Sequence, residues 1–202
     1  FFTYNEESNI ETDNQMAKYT SELRAFSMWI IKQSGTLARR LLILGQFIDE
    51  LVILSEVDGY GKILPLIENY KLTYEQKEMS ETIENTDIYE YPFTLLGYLD
   101  VEKEVDNPRF KSFYNRYKDG FGNKKKKQKY KKVLETTLSS QMAAHHFTIE
   151  NYILNDMYRN VFPFSYPESI TMSYKMLVNK VILIQLLLSG MLNKEAALDP
   201  NT

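Results

Sequence analysis

The stretch Glu150 to Phe164, ENYILNDMYRNVFPF, constrains the fold more than any other part of the chain. Its apolar residues recur at helical spacing, and the run closes on Phe-Pro-Phe, where a proline ring cannot continue a helical hydrogen-bond ladder. A second and much more apolar segment follows within a few residues. Two long helices meeting at a sharp hinge demand an interior built from helix faces, and no strand-length alternation competes with them. The pattern predicts an all-α fold, a multi-helix bundle of about seven to nine helices without a significant sheet, organised as a single helical domain over residues 1–202.

The remaining periodicity supplies the other helices. One is expected over Asp13 to Gln33, stopped at Gly35, and a second from a Thr36 cap to about Val57. Lys62 to Tyr70 reads as helical, with Pro65 near its first turn. Thr73-Tyr74-Glu75-Gln76 has the form of a capping box and predicts a short helix to about Ile83. Ser80 to Asp87 and Pro92 read as a looser connection. Phe93 to Val105 and Pro108 to Tyr117 read as two further helices, and Gly120-Phe121-Gly122 as a break. A helical pattern then runs to Val161, ended by Pro163, and the last helix runs from Ser165–Pro167 to about Asn193. Within it, Met176 to Leu192 is interrupted by Asn179, Lys180 and Gln185. It reads as a buried core helix rather than a bilayer span of ~20 apolar residues.

Composition removes several chemistries. Cysteine is absent from all 202 residues, which excludes a thiolate nucleophile, a disulfide framework, a Cys-ligated zinc and a thiolate-held iron–sulfur cluster within this chain. With 24 basic and 27 acidic residues the net charge is −3, which gives no global signal for a polyanion, so neither nucleic acid nor a membrane is expected as partner. The polar, acidic start shows no signal peptide, and the compartment expected is the cytoplasm. Beginning at Phe1-Phe2 without an initiator methionine, the sequence reads as a segment of a longer protein or as one whose start is missing.

A few clusters invite chemical readings. Lys124 to Lys132 holds seven lysines in nine residues; it is either a solvated helix start or a surface for an acidic partner, and its single aromatic, Tyr130, argues against a base-stacking groove. His145 and His146 are the only histidines. Neighbouring helical positions point about 100° apart, so the two do not share a metal; His146 and Glu150 share a face, but no third ligand follows at suitable spacing, and a hydrogen-bonded structural histidine is the expectation. The six aromatics from Tyr152 to Tyr174 either fill the core or line a pocket for a cation. Asn151, Asn155 and Arg159 fall at i, i+4, i+8 and form one stripe, read either as structural hydrogen bonding at helix crossings or as a polar surface for a substrate or a partner domain.

Three blocks carry a family likeness. Glu22-Leu23-Arg24 followed by AFSMWIIKQ, Arg40 to Phe47 as RLLILGQF, and Glu150 to Phe164 with the apolar Ile182 to Gly190 beyond it occur in the order and spacing of the flagellin lysine-N-methylases. The family's typical lines run ELR with an LQNR-like ending, RLLILGLF, and ENYLVN…FRNLFPF. Lys32-Gln33-Ser34-Gly35 departs from the first of these endings. The chain resembles the cysteine-free C-terminal half of that family. The resemblance implies a protein-lysine N-methyltransferase that uses S-adenosylmethionine on flagellin, with an iron–sulfur cluster only in an N-terminal cysteine-rich half that would itself be a partner of this chain. By itself this half is expected to be inactive and to scaffold the catalytic half or hold substrate. Within the matching blocks Arg24, Arg40, Glu150, Asn151, Tyr152, Asn155 and Arg159 are candidates for a substrate or interdomain surface, with no catalytic residue assigned. The competing class is a helical binding or dimerisation module, such as the ligand-sensing domain of a regulator.

Overall fold

The computed structural model describes residues 15–57, 59–77, 101–121, 139–166 and 169–197, and among them every regular element is helical. The α-helices are α1 (Thr20–Ile31), α2 (Leu37–Glu56), α3 (Ile63–Thr73), the single turn α4 (Val101–Glu104), α5 (Pro108–Phe121), α6 (Ser139–Arg159) and α7 (Ile170–Ala197). Short 3-10 turns lie at Gln15–Tyr19, Tyr60–Lys62 and Tyr74–Gln76. The all-α expectation holds; six longer helices fall in the described residues against the seven to nine expected. The connection expected over Ser80 to Asp87, Pro92, the first part of the helix expected from Phe93, and the lysine cluster Lys124 to Lys132 lie outside the described residues.

The chain divides into two compact units, one formed by Phe1–Glu81 with Glu150–Leu177, the other by Thr82–Ile149 with Val178–Thr202. In the first, α2 is the central element. Gly35 takes φ +100 before it, a backbone region glycine enters without steric cost. Thr36 then accepts a hydrogen bond from the Arg39 amide at 3.2 Å, satisfying a donor that the first helical turn leaves unpaired. Leu44, Phe47, Ile48 and Leu51 recur at i, i+3, i+4, i+7 and are fully buried. They pack in a core with Leu23, Phe26 and Ile30 of α1 and Ile63, Ile67 and Tyr70 of α3. Burial of each large apolar side chain contributes about 1.5–3 kcal/mol relative to exposure. Gly45 serves a close approach: a Cβ there would lie 2.6 Å from the Tyr174 hydroxyl, which crosses α2 and donates to the Leu41 carbonyl at 3.0 Å.

Two local expectations need correction. Thr73 does not cap through its side chain: its hydroxyl donates back to the Asn69 carbonyl at 2.8 Å, so it completes the last turn of α3, and a 3-10 turn over Tyr74–Gln76 follows, the rest of the helix expected to Ile83 lying outside the described residues. The same Thr-x-x-Gln spacing suits both geometries, and the hydroxyl's choice of the i−4 carbonyl decides between them. Nor does the Pro163 ring end α6. The helix stops at Arg159; Val161 takes φ +53, the Phe162 amide donates to the Met157 carbonyl at 2.9 Å and the Val161 amide to the Tyr158 carbonyl at 3.4 Å. This is a Schellman closure completed by burial of Phe162 and Met157, with a valine in the position where glycine is usual.

In the second unit Asn107 accepts from the Arg109 and Phe110 amides at 3.0 and 3.2 Å, and Pro108 opens α5 as expected. Gly120 does not break this helix, which continues to Phe121. Val101, Tyr114, Tyr117, Ile182 and Leu186 form the buried cluster, flanked by Val105, Phe110, Val178 and Leu183. Ile170–Leu188 is long and apolar enough to cross a membrane by length and composition. It is buried along a stripe that includes Ser173, Leu177, Val181 and Leu186 rather than all round, so the core-helix reading holds for one face only. The helix starts at Ile170, where the Ser169 hydroxyl accepts from the Met172 amide at 3.2 Å, and extends past Asn193 to Ala197.

Candidate functional site

The helix α6 segment from Glu150 onward belongs to the first unit and carries five of the seven candidate residues. Two anchors hold it. Arg40, 6 % exposed, donates from one Nη to the Ile31 carbonyl at the end of α1 and to the Glu150 carboxylate at 2.8 Å. The guanidinium therefore caps the Ile31 carbonyl at a helix C-terminus, where a cation is favoured by the dipole, and it ties α1, α2 and α6 together. Its Nε is buried without a hydrogen-bond partner. Further along, the Arg24 guanidinium lies over the Tyr158 ring at 5.1 Å, a cation–π contact between α1 and α6.

With Glu150, Ile153 and Met157 turned inward, the opposite face of the segment is exposed. Asn151, Asn155 and Arg159 all lie on it, as does Tyr152. The spacing therefore gives a stripe, and the stripe faces out of the unit. The structure brings Arg40 to Glu150 and sets Arg24 against Tyr158, while Asn151, Tyr152, Asn155 and Arg159 remain on the surface. The side chains of His145 and His146 lie outside the described residues, and no group of three metal-capable side chains occurs among those described.

Several chemistry-bearing residues escaped the sequence reading. Arg39 lies over the Tyr74 ring at 4.7 Å and donates to the Tyr74 carbonyl at 2.8 Å. Burial raises the Tyr74 phenol above its ordinary pKa, with Arg39 opposing. Tyr70 donates to the Glu50 carboxylate at 2.6 Å, while the Lys77 ammonium sits 3.5 Å above its ring centre. Burial, then the bond to Glu50, raises the Tyr70 phenol far above its usual range. Phe26, Phe47 and Tyr70 meet edge to face at 4.7 to 6.2 Å, so this aromatic group is core. In the segment expected to supply a pocket, Phe162 is buried and Tyr158 is 64 % exposed. The Arg39-Arg40 pair was a signal for the first of these residues; Tyr70 and Glu50, twenty positions apart, gave none.

The arrangement is that of a helical module whose ionic contacts fix its own elements and whose polar stripe is exposed. From Arg24 to Thr202 the sequence matches the FliB lysine N-methylase C-terminal domain family, and the chain belongs to that family. No curated protein and no solved structure matches it.

Proposed function

We propose that this chain is the substrate-holding half of a lysine N-methylase that modifies flagellin in the cytoplasm. The observation that carries the reading is the exposed Asn151–Asn155–Arg159 stripe on a helix anchored by the Arg40–Glu150 and Arg24–Tyr158 contacts. A recognition surface gains affinity when its own elements are ordered before binding. Its amide and guanidinium groups are suited to hydrogen-bonding a folded protein.

S-adenosylmethionine supplies the methyl group in such a transfer, and the accepting lysine must be neutral, desolvated and in line with the sulfonium. No residue here is assigned to that step. An iron–sulfur cluster does not fit this chain, which has no cysteine; its thiolates would come from the N-terminal half. The test is to incubate full-length enzyme with flagellin and S-adenosylmethionine and to map methyl additions on lysines by mass spectrometry. Modification by the full-length protein and none by this chain alone is expected. Transfer by this chain alone overturns the division of labour, and no transfer by the full-length protein overturns the activity.

A further inference from the structure

Arg39 and Arg40 are neighbours with different tasks. Arg40 is committed to the buried pair with Glu150, whereas Arg39 is half-buried and forms no ion pair among the described residues. Its donors go to backbone carbonyls from two distant parts of the sequence. Nη1 donates to the Ser34 carbonyl at 3.4 Å, in the corner that joins α1 to α2. Nη2 donates to the Tyr74 and Lys77 carbonyls at 2.8 and 3.3 Å, at the two ends of the turn that follows α3. Gly35 leaves room for this fork, since a Cβ there would lie 3.3 Å from both Cδ and Nη1 of Arg39.

Other side chains join the same corner to the same turn. The Tyr74 ring meets the Arg39 guanidinium at 4.7 Å and Trp29 edge to face at 5.6 Å. Its hydroxyl donates to the Ser34 carbonyl at 3.1 Å, and the Ser34 hydroxyl donates to the Glu75 carboxylate at 2.9 Å. At the far end of the turn the Lys77 ammonium rests on the Tyr70 ring.

We propose that the Tyr74–Lys77 turn is a strap that opens and closes as one piece on the α1–α2 corner, with Arg39 as its latch. The turn has little to hold it by itself: it is a 3-10 turn closed by the Lys77 amide on the Tyr74 carbonyl at 3.2 Å, and such bonds have poor geometry. Its attachments to the corner run through side chains, and those at Ser34 from Glu75 and Arg39 are exposed. The fully buried residues Leu44, Phe47, Ile48, Leu51 and Ile63 take no part in them. A unit held in this way can open while the core stays folded. Tyr74, only 3 % exposed, makes the motion two-state, because its ring is either packed on Trp29 or out in water. Arg39 is the common member, since its charged, planar fork spans carbonyls that no other side chain brings together. One residue therefore sets how often the chain leaving α3 is released.

The inference stands apart from the flagellin reading, because its test uses no substrate. Hydrogen exchange of the full-length protein, read by mass spectrometry, compares the Tyr74–Lys77 amides with those of Leu44–Leu51 in α2. Arg39→Met speeds exchange in the turn about tenfold, from the loss of its charged donors. Arg39→Lys speeds it about threefold, because an ammonium keeps the charge but not the fork. The α2 amides keep their wild-type rate in both. Unchanged exchange in the turn overturns the latch. Equal acceleration in the turn and in α2 also overturns it, since opening is then global and Arg39 only stabilises the fold. Acylation of the Lys77 amine reads the other end of the strap. Faster labelling in Arg39→Met supports movement as one piece, and unchanged labelling beside faster exchange overturns it.

Discussion

Helix α2 carries two ionic arrangements of opposite character. Near its start, Arg40 is paired with Glu150 and both are withdrawn from water, at 7 % and 22 % side-chain exposure. Nearer its end, Glu50 is half-buried and accepts from the Tyr70 hydroxyl at 2.6 Å, with no ion-pair partner among the described residues. A buried charge must be matched inside the protein or it destabilises the fold. A charge nearer the surface that accepts from a neutral hydroxyl carries no such requirement. The same helix therefore carries one charge matched by a buried ion pair and one matched by a neutral donor.

The largest effect should come from breaking the buried pair. Arg40→Met leaves the Glu150 carboxylate and the Ile31 carbonyl without their donor, and urea denaturation is expected to show a loss of about 3 kcal/mol. Arg40→Met with Glu150→Leu should recover most of that loss, because the uncompensated charge is gone. Simple additivity of the two changes would mean that the pair is not coupled, and the contrast with Glu50 would fail.

Next comes alkaline pH. Burial, with Asp49 adding to it, pushes the Tyr174 phenol up to about 12, against about 10 in an unfolded chain. The folded state holds this proton more tightly, so the contribution is fully present below about pH 10 and is lost as pH rises through about 12, amounting to about 2–3 kcal/mol. Tyr174→Phe should flatten the fall in stability over that window. An unchanged slope would show that Tyr174 does not bind α2 as tightly as its hydrogen bond to Leu41 indicates.

Gly45, between the two ionic ends of α2, should give a smaller change. Alanine there gains about 1 kcal/mol of helix propensity but crowds Tyr174 at 2.6 Å, an overpacking cost of about 1–3 kcal/mol. A net loss of about 1 kcal/mol is expected, with less than additive loss in the Tyr174→Phe background, which removes the hydroxyl nearest the added methyl.

What the sequence made legible follows from the range of the interactions involved. Thr36, Gly35 and Pro108 act within a turn of themselves, and their roles were readable. The stripe of Asn151, Asn155 and Arg159 was readable because helical spacing alone puts them on one face. The pairing of Arg40 with Glu150 joins positions 110 apart, and neither residue announces the other. Thr73 failed for a different reason: one short pattern serves two geometries, and only the position of the preceding helix selects between them. Val161 failed similarly, since a β-branched residue in the left-handed region is disfavoured locally and is held there by the burial of Phe162 beyond it.

The smallest stability effect should carry the sharpest functional meaning. Asn155 lies in the middle of the exposed stripe, so Asn155→Ala should change stability by no more than about 0.5 kcal/mol. If the stripe meets flagellin, the same variant lowers flagellin methylation by the full-length enzyme while its melt is unchanged. If it serves only to hold helices together, the result inverts, with stability falling and methylation per folded molecule staying constant. The two readings of the stripe thus differ in the sign of the comparison between two measurements on one variant. The buried pair makes the contrast interpretable, because Arg40→Met is expected to lower stability first and activity only as folded protein is lost.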